Sequence, residues 1–130
     1  MDPHDSLWHR VAPALTLLFV APLVAEALPG ATRPSVYVSF PPIFLSEMAV
    51  WGGGALFARY LVRRARLGAV HLLLLGLALA LAEEFLIQQT SIAPLVIRLH
   101  GIDYARAWGV NYLYLLWALA YESVFVVLYP

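Results

Sequence analysis

Four apolar stretches dominate the chain, at residues 11–28, 43–62, 67–88 and 107–129. Each approaches the roughly 20 residues that a helix needs to cross a bilayer. None alternates strictly between apolar and polar positions, and Leu and Ala dominate them. The pattern therefore predicts helices rather than barrel strands. Polar and Pro-rich breaks predict the connections. Arg63-Arg64-Ala65-Arg66, with Gly68 just beyond, predicts a tight hairpin between the second and third helices. Pro29, Pro34, Pro41 and Pro42 crowd the first connection, where residues 35–40 read as extended. In the third connection, Pro94 at a helix start, apolar residues 95–99 and Gly101 after His100 predict a short helix lying in the interface. The expected fold is all-α: one transmembrane domain over residues 1–130, a four-helix bundle with that short helix in its third loop.

Composition sharpens this picture. Hydrophobic residues make up 62% of the chain and charged residues 12%, with a mean hydropathy of +0.79. A soluble domain carries about 25% charged residues and cannot hide so much apolar surface at this size. A soluble globular enzyme, a disordered chain and a free nucleic-acid binder are excluded. All eight basic residues are Arg, balanced by eight acids, so no basic footprint for nucleic acid exists. Cysteine is absent, which removes disulfides, thiolate metal sites and Cys nucleophiles. The N-terminus, Met-Asp-Pro-His-Asp, is acidic, unlike a cleavable signal peptide, so the first apolar segment is expected to be retained. The chain stops at Tyr129-Pro130, at the end of the last stretch, as expected of an all-membrane protein or of a longer chain cut there. Arg10, Arg59, Arg63, Arg64 and Arg66 fall on one side of the predicted bundle, and Arg33, Arg98 and Arg106 on the other. The bias predicts a plasma (inner) membrane protein with the hairpin and both termini in the cytoplasm. Trp8, Trp108 and Tyr129 fall near span ends, at headgroup level.

Small residues must allow close helix approach, because lipid offers no hydrophobic drive for association. Gly54 and Ala58 form one small pair, and Gly76 and Ala80 another. The row 76, 80, 84, 88 follows i+4 spacing, so the second and third helices are expected to form an antiparallel core. Acids inside a span cost about 2.5–3.5 kcal/mol each. Glu26, Glu47, Glu83 and Glu84, with Gln88, are expected to converge on one outward-facing polar region. Gln89, Thr90 and Ser91 would line its rim, and Arg33, Arg98 or Arg106 would fold over it. With span midpoints aligned, Glu122 lies roughly 12 Å in axial rise from Glu83, and stands as a second, separate buried acid.

No metal site is assigned. His71 lies about 18 Å along the helix axis from Glu83, His4 and His9 are terminal, and the spacing of His100 from the acids is nonspecific. Tyr114, Trp117, Tyr121 and Phe125 form one stripe at i+3 and i+4 spacing. It suits helix packing, or a groove for a bound lipid, quinone or carotenoid. Arg59, Arg63, Arg64 and Arg66 serve topology or anionic lipid headgroups.

Ala82-Glu83-Glu84-Phe85-Leu86 resembles the Glu-Glu motif of the CAAX-type (abortive-infection) intramembrane protease family. In that family a Glu pair, an Arg a few residues later and His residues on later helices form the site. Here Gln88 or a neighbour holds the place of the Arg, the fourth helix carries no His, and only Glu83 and Glu84 carry over. That family also has more helices. The chain more broadly resembles bacterial polytopic membrane proteins with a mid-membrane Glu-Glu pair. With little enclosed volume and no complete catalytic constellation, the first expectation is a noncatalytic subunit that packs into and stabilises a larger membrane complex. Its partners would be the bilayer and other membrane subunits, with no nucleic acid. The alternatives are a Glu-dependent intramembrane hydrolase, with Glu83 or Glu84 as general base, and a small proton-coupled transporter acting as an oligomer.

Overall fold

The computed structural model describes residues 7–92 and 105–129. The expected interfacial helix, with Arg98 and His100, and the terminal His4 lie outside the described residues. The architecture is all-helical apart from one small ladder. Helix α1 (Leu7–Pro22) runs into a π-helical turn, Leu23–Ala27. After a short α2 (Pro34–Ser39), α3 (Pro41–Glu47) passes through a π-helical turn, Met48–Gly52, into α4 (Gly53–Arg64). Helix α5 (Ala69–Ala82) continues as the π turn Glu83–Ile87. Strands β1 (Arg106–Ala107) and β2 (Val110–Asn111) precede α6 (Tyr112–Tyr121), which ends in the π turn Glu122–Leu128. Ala69–Ile87, 19 residues, is long and apolar enough to cross a membrane; Val11–Ala27 and Tyr112–Leu128 are shorter apolar helices.

Two connections differ from expectation, and proline and glycine explain both. Residues 35–40 are mostly helical, not extended. Pro34 starts α2 and Pro41 starts α3. A proline's fixed φ suits a first helical turn, where its missing N–H costs nothing. The same residues that exclude a long helix thus open two short ones. In the last connection, Trp108 (φ 47°) and Gly109 (φ 83°) make the two-residue turn of the β1–β2 hairpin. Both central residues have positive φ, as such a tight hairpin turn requires. The fourth long helix therefore starts at Tyr112 rather than near 107. Asn111 caps it, its side-chain oxygen accepting from the Tyr114 backbone N–H at 3.0 Å.

The buried apolar core joins Leu17, Ala21 and Ala25 to Trp51, Ala55 and Val126. It therefore links the first, second and fourth long helices. The expected centre on the second and third is corrected by this packing. Gly54 does meet α5, and what lies nearest to it there is the end of the Leu79 side chain. Among the described glycines, Gly52 comes nearest to a neighbouring backbone. A Cβ on Gly52 would stand 2.5 Å from the Leu18 carbonyl oxygen. Pro22, four residues after Leu18, has no N–H to give that carbonyl, and the bare face of Gly52 covers it. Gly76 similarly seats the Ser123 backbone and the Val127 side chain. Beside this apolar core, the interior also holds acids while large apolar side chains lie outside. Five Glu side chains are buried, whereas Phe19, Leu28, Val38, Phe57, Leu86, Leu116 and Phe125 are exposed.

Candidate functional site

The four long helical segments among the described residues all leave α geometry at the level of an acid. Glu26 lies inside the first π turn, Glu47 directly precedes the second, and Glu83 and Glu122 open the third and fourth. These turns close with i→i+5 bonds, among them Leu28 N–H to Leu23 O at 2.9 Å and Gln88 N–H to Glu83 O at 3.0 Å. Such a turn holds an extra residue, re-aims the side chains around it and is frequent at functional sites.

Two polar groups result. In the first, Glu26 Oε1 accepts from Trp51 Nε1 at 3.1 Å and Gln88 Nε2 at 2.7 Å. The Thr32 hydroxyl stands 3.2 Å from both Glu26 Oε2 and Glu47 Oε1. A hydroxyl donates one hydrogen only. It can point that hydrogen at either carboxylate or share it between the two in a three-centre bond. Tyr37 Oη and Glu47 Oε2 are buried close together without a well-aligned hydrogen bond. Burial first, and the neighbouring Glu47 second, push the Tyr37 phenol above its usual range.

The second group is the denser one. One carboxylate oxygen each from Glu83, Glu84 and Glu122 lies within 4.8 Å of the others. These residues are 2%, 1% and 7% exposed. Glu84 Oε2 accepts from the Thr90 hydroxyl at 2.6 Å and the Ser91 hydroxyl at 2.5 Å. Glu122 Oε2 is buried without a hydrogen-bond partner among the described residues. All three line a cavity of about 310 Å³ with Glu26, Gln88, Thr90, Tyr114 and Trp117, beneath the loop at residues 29–32. Neither Arg nor His lines it among the described residues. Two bare carboxylates about 4 Å apart repel by roughly 4 kcal/mol at an effective dielectric constant of 20. The cluster therefore needs protons or a bound cation to persist.

Glu122 thus joins Glu83, against the separation expected from aligned midpoints. The β hairpin delays the start of α6, and Gly76 seats Ser123, sliding α6 along α5. Glu26, Glu83, Glu84 and Gln88 share the cavity, while Glu47 sits behind Thr32. No Arg folds over the acids among the described residues. Arg106 turns instead to the carbonyls of Ile92 and Gly109, at 3.1 and 2.8 Å, and Arg33 is exposed. Arg59 donates to Val127 O at 3.1 Å and Leu128 O at 3.3 Å, satisfying carbonyls at the end of the last helix. Arg63, Arg64, Arg66 and His71 are exposed.

The aromatic residues of α6 stack in succession. Ring centroids are 5.9 Å apart for Tyr114–Trp117, 5.1 Å for Trp117–Tyr121 and 5.4 Å for Tyr121–Phe125. Tyr121 also donates to the Val24 carbonyl in the first π turn at 2.8 Å. Only Tyr114 and Trp117 reach the cavity. Thr32 and Trp51 had no place in the sequence-derived site. Trp51 lies one turn after Glu47, and its buried indole N–H required a partner; for Thr32, in an aperiodic Pro/Gly-rich loop, no signal exists. Comparison with protein-family models, curated proteins and solved structures finds no match.

Proposed function

We propose that this chain is a four-span integral protein of the plasma (inner) membrane, with its hairpin and termini cytoplasmic, that acts as a small cation-coupled carrier. The observation that carries the reading is the cavity with three buried carboxylates and no cationic side chain among the described residues. An all-oxygen carboxylate set suits a hard divalent ion. Oxygens on opposite sides of a Ca²⁺ ion lie about 4.6–5.2 Å apart, so three oxygens within 4.8 Å of one another can reach a single ion. The buried Glu122 Oε2, without a hydrogen-bond partner among the described residues, supplies an unused ligand atom.

Two features support the membrane and carrier parts. Large apolar side chains face outward while the acids face inward, the arrangement that hydrocarbon favours and water does not. Interrupted helices around a central ion site are the usual construction of carriers, and here each acid sits at a π turn. The role of noncatalytic subunit rests on a scarcity of chemical groups, and the hydrolase reading on Glu83 and Glu84 alone. The three-acid cavity favours a cation site over both.

Mn²⁺ serves as the probe. Titrating the purified protein in neutral detergent, followed by electron paramagnetic resonance, is expected to show one bound ion per chain. Glu83→Gln/Glu122→Gln keeps the side-chain shapes and is expected to weaken binding at least tenfold. It is also expected to stop cation-dependent solute uptake into proteoliposomes. Equal Mn²⁺ affinity in the variant would reject the site.

A further inference from the structure

We propose that the groove between α1 and α4 holds one anionic phospholipid, its phosphate against Arg63 and Arg64 and an acyl chain along Leu17, Val20 and Leu56. This cavity, about 930 Å³, is separate from the acid cavity. The start of α1 lies beside the end of α4, so His9, Tyr60, Arg63 and Arg64 border the same mouth. Deeper in, the walls become apolar, with Leu17, Val20 and Leu56. From His9 to Val20 the helix rises about 16 Å, room for a substantial length of acyl chain.

Charge complementarity selects the headgroup. Three Arg and no Asp or Glu line the groove among the described residues. Arg59 is engaged with the carbonyls of Val127 and Leu128, which leaves Arg63 and Arg64 at the mouth. Arg64 is steadied there, its Nη1 donating to Tyr60 Oη at 2.8 Å, with its guanidinium 5.9 Å from the ring centroid. Trp8 and Tyr60 are exposed near this mouth, as aromatic side chains are at headgroup level. Clustered Arg beside a bilayer attracts anionic lipid. The apolar walls distinguish a lipid from a free phosphate, which would gain nothing from them.

Native mass spectrometry of the protein in neutral detergent, with phosphatidylglycerol or phosphatidylcholine at matched concentration, tests this. Phosphatidylglycerol is expected to be retained at least tenfold better. Arg63→Gln/Arg64→Gln changes exposed side chains only and is expected to remove that preference. Val20→Trp fills the apolar wall and is expected to weaken both lipids. Mn²⁺ binding should be unaltered by the Arg variant, which separates this site from the acid cavity. Undiminished selectivity in the Arg variant would overturn the proposal. So would displacement of the lipid by inorganic phosphate combined with an inert Val20→Trp.

Discussion

Gly52→Ala is expected to destabilise the protein by about 3 kcal/mol, read from reversible unfolding in mixed detergent micelles. The added Cβ would stand 2.5 Å from Leu18 O and 2.9 Å from Leu18 Cα. Both atoms are backbone in a helix that Pro22 has already deprived of one hydrogen bond, so neither can step aside alone. The two helices must separate, which loosens Trp51 and Ala55 against Leu17 and Ala21. Gly54→Ala is the internal comparison. The three atoms nearest its Cβ would be the Leu79 methyls and Cγ, and a rotamer change relieves that contact at less than about 1 kcal/mol. Equal losses at the two positions would dismiss the backbone contact as the cause.

The second large effect concerns Glu26. Glu26→Leu is expected to cost about 3 kcal/mol, because two donors, Trp51 Nε1 and Gln88 Nε2, lose their acceptor together and the Thr32 hydroxyl is left with Glu47 alone. Trp51 Nε1, Gln88 Nε2 and the Thr32 hydroxyl all converge on this carboxyl. Trp51 is 1% exposed, so its N–H has no water to turn to. Glu26→Gln keeps an acceptor oxygen and is expected to lose less than half as much. A double-mutant cycle isolates the indole bond. In a Trp51→Phe background the Glu26→Leu penalty should shrink by about 1 kcal/mol or more. An unchanged penalty would mean that the indole bond contributes nothing.

Much of this arrangement is written in residue type. Runs of Leu and Ala specify helices, and of the i+4 row 76, 80, 84, 88 the first three residues lie on a buried face while Gln88 is exposed. Buried acids announce polar company, since an isolated carboxyl in an apolar interior is too costly. What escapes a linear reading is the offset between helices. The position of Glu122 depends on how far α6 slides along α5, and that is set by a glycine seat and a hairpin turn distant from it in sequence. Pro34 and Pro41 show a second limit. A proline marks a boundary without saying whether helix lies before or after it. The π turns are a third. Apolar periodicity near 3.6 does not register one extra residue, yet that residue aims each acid.

The surplus residue has its own consequence. A rod that carries one more amino acid than its length demands can lose that amino acid and still close its ladder at ordinary pitch. The flanking segments would keep their phase, because the wide turn already absorbs the extra residue, and only the side chains within it would be re-aimed. Excision within Leu23–Ala27 or Glu122–Leu128 would leave the helices unbroken while turning carboxylates away from the chamber they share. The identity of this interior depends on the tally of residues in each rod as much as on their chemistry.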